Sequence, residues 1–303
     1  MVNHVVNFSG GRSSAYLVWL FEQRKKNESI NVEYVYCDTG AEHPKTYKFI
    51  NDVVDHWDID LTALRTVIHM EKGVGPTYKK VQLSECGPDL IPFLDVCKKH
   101  GTPTVAAPLC SDRMKSIPAD KYCDDRYGRG NYTRWLGMRI DEQRRIKSTE
   151  DQLDFFRKEK PISSRVKNTK YLAYISDFTK EDIKEWFSQQ EFDLEIPAHL
   201  GNCVFCIKKG ANKIALAAKD EPEMAVKFIS MINSPEVHKR ESRGLPPDIM
   251  YRSNQSLTSI IEAYKDVDRD ELAARIESGR SYDTGACSES CDGAVADPDL
   301  FDV

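Results

Sequence analysis

Over the first 70 residues the hydrophobic positions switch between a short-run and a helical period, predicting strand, helix, strand, helix, strand. Val2 to Phe8 is an apolar run, Ala15 to Lys26 has the helical pattern, and Val32 to Cys37 is β-branched and aromatic. Pro44 brings the fixed φ of a helix's first turn, and Tyr47, Phe49, Ile50, Val53 and Val54 fall largely on one face up to Trp57. Leu61 to His69 reads as the third strand. Strands alternating with helices imply a parallel sheet.

Gly73, Gly75 and Pro76 mark turns, and Leu90 to Lys99 predicts a short helix ending before Gly101. Tyr132 to Leu136 is a strand that runs out into Gly137, Met138 and Arg139, and Tyr171 to Ile175 repeats that pattern. Thr179 with Asp182 three residues on forms a capping box, so a helix starts at Lys180. From Ala211 to Ala274 the period is helical, broken at Gly244 to Pro247. Beyond Ser278 six acidic residues face one arginine, a composition that predicts a mobile tail.

Composition removes whole classes. The chain has 303 residues, 40% hydrophobic and 30% charged, which excludes collagenous, coiled-coil and wholly disordered chains. No run of about 18 uncharged apolar residues exists, and the N-terminus lacks the basic flank and apolar core of a signal peptide. A cytoplasmic protein with no membrane partner is expected. Nine cysteines, an odd number, point to thiolate metal ligands or reactive thiols rather than disulfides. The net charge of -5 hides a split: Asp112 to Lys170 holds 16 Lys and Arg against 10 Asp and Glu, or +6, leaving -11 elsewhere. That segment suits either a polyanion such as nucleic acid or a solvated surface.

Ser9-Gly10-Gly11-Arg12-Ser13-Ser14 lies directly between the first strand and first helix. Glycines permit a tight turn close to an anion, hydroxyls add donors, and a helix N-terminus offers unpaired N–H groups. Such a loop is built for phosphate. It has neither the Gly-Lys-Ser/Thr ending of a P-loop nor the Gly-x-Gly-x-x-Gly spacing of dinucleotide folds.

Phe8 to Ser14 closely resembles the pyrophosphate-binding loop of the PP-loop ATP pyrophosphatases. Cys37-Asp38-Thr39-Gly40 with Pro44 and Thr46 is similar to the phosphoadenosine phosphosulfate (PAPS) reductase branch, and the likeness continues at Lys115 to Pro118, Gly137 to Arg139 and Ser176 to Cys206. The resemblance implies an α/β fold of the HUP, or adenine nucleotide alpha hydrolase-like, kind. Its open, mostly parallel twisted sheet carries helices on both faces, and the helical period from Ala211 to Ala274 adds a smaller α-helical C-terminal subdomain. The expected division is a PP-loop nucleotide-binding domain over 1–207, a helical subdomain over 208–277, and an acidic cysteine-containing tail over 278–303.

The resemblance further implies that Ser9, Gly10, Gly11, Arg12, Ser13 and Ser14 form the phosphate site. Asp38, Thr39 and Gly40 lie near an adenine nucleotide, Asp38 as a magnesium ligand or as the cap of its own turn. Lys115 and Arg139 neutralise the reacting phosphates. Cys203-Val-Phe-Cys206 gives two thiolates able to share a metal or cluster, and the family likeness adds Cys110. Two completions stand open: a [4Fe-4S] cluster on three cysteines, or a fourth ligand from Cys287 or Cys291. Zinc with His199 as fourth ligand is the alternative. The remaining cysteines, 37, 86, 97 and 123, read as core or incidental.

The expected reaction is ATP cleavage with adenylation of a substrate, followed by sulfur transfer to tRNA or DNA. ATP and magnesium are the expected ligands, and a sulfur-donor protein such as a cysteine desulfurase the expected partner. PAPS or adenosine phosphosulfate reduction is the enzyme alternative, although neither Cys287 nor Cys291 keeps that branch's Glu-Cys-Gly-x-His pattern. A nucleotide-binding subunit of a DNA-modification or defence complex is the non-enzymatic one.

Overall fold

The computed structural model describes residues 2–143, 146, 168–239 and 244–278. Its first half alternates β1 (Asn3–Asn7), α1 (Arg12–Asn27), β2 (Asn31–Cys37), α2 (Pro44–Trp57) and β3 (Leu61–Val67). The chain continues through β4 (Thr77–Val81), α3 (Ile91–His100), α4 (Ile117–Tyr127), β5 (Tyr132–Leu136), β6 (Thr169–Tyr171) and α5 (Lys180–Ser188). The last helices are α6 (Ala211–Asp220), α7 (Pro222–Ile232), α8 (Leu257–Ala263) and α9 (Arg269–Glu277).

Six strands form one sheet in the order β4-β3-β2-β1-β5-β6, parallel except where β4 joins β3. Successive strand residues point to opposite faces, and here each face is covered. Val6, Phe8, Tyr34 and Tyr36 pack under α1, α2 and α5, whereas Val5, Val35, Cys37 and Leu64 meet Ala119, Tyr122 and Cys123 of α4. An α/β fold with an open, mostly parallel sheet is the result. Because β1 pairs with β2 on one side and β5 on the other, the connections leave β1 in opposite directions. The crevice at such a reversal, beyond the carboxyl ends of the strands, is where open α/β sheets bind ligands.

Several elements differ from the sequence reading for identifiable reasons. Strand β4 was not expected. Its Thr-Tyr-Lys-Lys-Val run lacks alternation, and as an exposed edge strand it carries lysines instead of a second apolar face. The strand expected over Tyr171 to Ile175 ends at Tyr171, since Leu172–Tyr174 turns as a 3-10 helix. The segment before α4 is helical from Leu109, with a π turn over Asp112–Ser116, and Pro118 enters at the first turn of α4. Helices α6 to α9 share one hydrophobic cluster with Phe93, Val96 and Cys97 of α3 and with Leu200 to Ile207 around the cysteine pair. Among the described residues no helix is long and apolar enough to cross a membrane.

Candidate functional site: a phosphate loop joined to a cysteine cavity

The loop after β1 is closely packed by its neighbours. Gly10 has φ +79°, and a Cβ there would stand 2.8 Å from Thr46 Cγ2 at the start of α2. Gly137, just past β5, lets the backbone approach so closely that a Cβ would lie 2.9 Å from Ser14 N. No side chain caps α1 at Gly11 and its first turn has no acidic residue, so its N-terminus keeps the positive field that favours an anion.

The loop's side chains divide their tasks. Ser14 Oγ donates to Gly11 O at 2.9 Å and accepts from Ser9 N at 3.0 Å, with Ser9 Oγ 2.9 Å away. Ser14 therefore braces the turn. Arg12 points elsewhere: its guanidinium donates to both oxygens of Asp193, at 2.6 and 2.9 Å, and to Leu194 O. It ties the loop to the segment leading to the cysteine pair. Arg139 reaches the loop, with Nη1 donating to Ser13 Oγ at 2.9 Å while Asp141 receives the fork at 2.9 and 3.1 Å.

Asp38 is fully buried at the end of β2. Its Oδ1 accepts from Gly40 N at 2.9 Å and Tyr47 OH at 3.0 Å, and Oδ2 accepts from Arg65 Nε at 2.7 Å. Burial, then the nearby Glu42 charge, pushes its pKa above the ordinary carboxylate range against these bonds. With both oxygens facing protein donors, Asp38 caps its own turn, and in this arrangement does not present an oxygen for direct magnesium ligation.

Glu42, which sequence reasoning passed over, is the centre of a buried network. Thr39 Oγ1 donates to Oε2 at 2.6 Å and Tyr47 OH lies 3.2 Å from the same atom. Lys115 Nζ is 3.3 Å and Cys203 Sγ 3.8 Å from Oε1. Only its place beside the Asp38-Thr39-Gly40 turn could have drawn notice, because burial is not visible in one residue's identity. Lys115 is carried by the π turn, whose Arg113 and Lys115 carbonyls accept from Thr66 Oγ1 at 2.8 Å and Cys37 Sγ at 3.5 Å. Burial pushes the Cys37 thiol up to about 12, so it stays a neutral donor.

Cys110, Cys203 and Cys206 line one cavity, together with Thr39, Ser111, Met114, Lys115 and Phe205. The three thiols supply soft donors suited to iron or zinc. Among the described residues, however, no three His, Cys, Asp or Glu side chains converge as a ready ligand set. The cavity is partly open, and the water-accessible space within it is about 20 Å³, room for about one water-sized group, so as they stand the three thiols supply the donors of a multi-iron cluster but not its space. His199 is not on the cavity wall; its Nε2 pairs with Asp220 Oδ2 at 2.8 Å. Cys287 and Cys291 lie outside the described residues.

The family model described as phosphoadenosine phosphosulfate reductase domain matches residues 3–86, which hold the phosphate loop, Asp38, Glu42 and Thr46. A protein of Escherichia phage lambda, named uncharacterized nin region protein ORF290, is 46% identical over 297 residues, covering 96% of this chain and 95% of its own. The chain belongs to the PAPS reductase-like family of the PP-loop superfamily. No solved structure matches it. The family-model match ends before Lys115, so the lysine, Arg139 and the cysteine cavity belong to the part shared with the phage relative, which spans nearly the whole chain.

The basic middle segment is only partly in view. Eight of its sixteen Lys and Arg lie outside the described residues, between 144 and 167. Among those described, Arg113, Lys115, Arg126, Arg134 and Arg139 each stand within 3.3 Å of an acidic side chain.

Proposed function

We propose that this PAPS reductase-like protein cleaves ATP between its α- and β-phosphates, adenylates a substrate, and supports sulfur transfer to that substrate. The observations carrying the reading are a phosphate-type loop after β1 that Arg139 reaches, and a cavity past the end of β2 that Lys115 and three cysteines line. Family membership supports nucleotide-related chemistry; the choice of ATP rests on the intact Ser-Gly-Gly-x-x-Ser loop.

In this account the N–H groups of the loop and α1 hold the polyphosphate, and magnesium arrives on its oxygens. A substrate oxygen attacks the α-phosphorus and pyrophosphate leaves, with Lys115 and Arg139 meeting the charge that develops on the leaving group. A sulfur nucleophile then attacks the activated carbon, and the carbon–oxygen bond breaks to release AMP. Cys110, Cys203 and Cys206 would be the residues to hold zinc or an iron–sulfur cluster, and for the cluster they would first have to part. Nucleic acid is the proposed acceptor, seated by phosphate contacts from the segment around 144–167, with a cysteine desulfurase as sulfur source.

The name of the matching family model favours one second reading, reduction of a sulfonucleotide by a thiol. A single experiment separates the two. Anaerobically purified protein is incubated with α-labelled ATP, magnesium, a sulfide source and tRNA or duplex DNA, and in parallel with PAPS and a dithiol. AMP, pyrophosphate and thiolated nucleosides are expected; sulfite from PAPS without ATP cleavage would replace the first reading with the second. Nucleotide binding with neither product would indicate a non-catalytic subunit.

A further inference from the structure

Arg12 is the single cation in the Ser9 to Ser14 loop, and it is the first residue of α1, the end of a helix where a positive charge is disfavoured. Its side chain is nearly buried, and the proposed reaction gives it no task. The guanidinium makes a fork on a carboxylate from far along the chain: Nε donates to Asp193 Oδ1 at 2.6 Å and Nη2 to Oδ2 at 2.9 Å, with Leu194 O accepting a further bond. Asp193 is itself fixed. Leu194 N donates to its Oδ1 at 2.6 Å, and the Leu194 side chain is buried in the cluster that holds Tyr16 and Leu17 of α1. The carboxylate thus stands on the same core as the helix whose head it grips.

We propose that Asp193 is a positioning residue of the nucleotide site, which through Arg12 sets the backbone of the phosphate loop for a polyphosphate. The inference rests on the reading of that loop as a phosphate site. The N–H groups at the head of α1 are the donors a phosphate meets, and they bind well only if they are already in place. Arg12 carries the first of them, so a fork that fixes its side chain fixes the start of the donor row. Without the carboxylate a nearly buried guanidinium loses its counter-charge, and it regains water only by pulling outward and taking the first turn with it. Asp193 lies beyond residues 3–86 that the family model matches, so the phosphate loop depends on a segment more than a hundred residues outside that match.

The test is calorimetric titration of the full chain with ATP and magnesium, and separately with adenosine, for wild type, Asp193→Asn, Arg12→Met and the double variant. Each single change is expected to weaken ATP binding roughly tenfold, the scale of one charge-assisted hydrogen bond, while adenosine binding stays within about twofold. The double variant is expected to bind ATP no more weakly than either single one, because the two side chains act as a unit. A carboxylate that only supports the fold would lower the melting temperature and leave the ratio of ATP to adenosine affinity unchanged, which would overturn the proposal. An Arg12 that meets the phosphates itself would also overturn it, by separating the variants: Arg12→Met would weaken ATP binding, whereas Asp193→Asn, by freeing the guanidinium, would tighten it. Should Asp193→Asn fail to fold, Arg12→Lys carries the test. Lysine keeps the charge but cannot make the fork, so positioning predicts the loss seen with Arg12→Met, and retained ATP affinity would contradict it. Equal binding of ATP and adenosine by wild type would instead overturn the phosphate-site reading beneath the proposal.

Discussion

Arg139 shows how one side chain links loop chemistry to fold. Its backbone N–H donates to Glu142 at 3.0 Å, its fork rests on Asp141, and one nitrogen remains on Ser13. Arg139→Gln leaves the backbone bond in place while removing the charge and the reach to the loop. ATP affinity is expected to fall by at least about tenfold, the value of a charge-assisted hydrogen bond, and the melting temperature to fall as well, because the nearly buried Glu142 loses its guanidinium neighbour at 3.6 Å; titration and thermal unfolding read the two effects. His199 carries a prediction of a different kind. Burial lowers its pKa from 6.5, against the raising effect of Asp220. Between the folded and unfolded values the unfolded chain binds more protons, so stability rises with pH there and is lost as pH falls below about 6.5. His4 is also lowered, mainly by burial, and contributes with the same sign. Denaturant unfolding at pH 7 and pH 5 is expected to show this loss, and His199→Gln to reduce it; an unchanged pH dependence in the variant would contradict the assignment.

Among the elements, a close tolerance with backbone is found where β5 runs out against α1. Gly137→Ala puts a methyl 2.9 Å from a backbone nitrogen that cannot rotate away, so the first turn of α1 must shift. Overpacking of this kind costs about 1–3 kcal/mol, and a displaced first turn is expected to abolish ATP binding before it abolishes folding. Circular dichroism with ligand titration distinguishes the two effects. This loop was legible in the sequence because glycines and hydroxyls between an apolar run and a helical period have few other uses. Helix α2 was legible for a related reason: Pro44 fixes its start, and His43 Nδ1 caps it by accepting from Lys45 N at 3.1 Å. The start of α5 was equally clear, since Thr179 and Asp182 cap each other locally. What escaped was set by distant contacts. The Arg12 side chain reads as a phosphate ligand until Asp193, 181 positions away, is seen to hold it. Glu42 draws no notice in the sequence, and only the fold brings Lys115 and Cys203 to it.

For the molecule as a whole, the C-terminal helices and the α/β sheet meet around the cysteine pair rather than apart from it. Leu200 to Ile207 pack with α3 and with α6 to α9 in one cluster, so the thiols sit at a junction that ligand-driven motion of either part would reach. Should the three thiols part far enough to admit a cluster, protein purified without oxygen is expected to contain about four irons and four labile sulfides per chain, lost when Cys110, Cys203 or Cys206 is changed to Ala. Stoichiometric zinc, or no metal in wild type, would remove the cluster from the account and leave the nucleotide site untouched. The nucleotide site is the central claim, and titration calorimetry with ATP and with adenosine, on wild type and Gly137→Ala, tests it most directly. The account predicts that wild type binds ATP far more tightly than adenosine, and that Gly137→Ala loses this preference. Equal affinity for adenosine and ATP, or ATP binding unchanged by the alanine, would contradict a phosphate site at the end of β1.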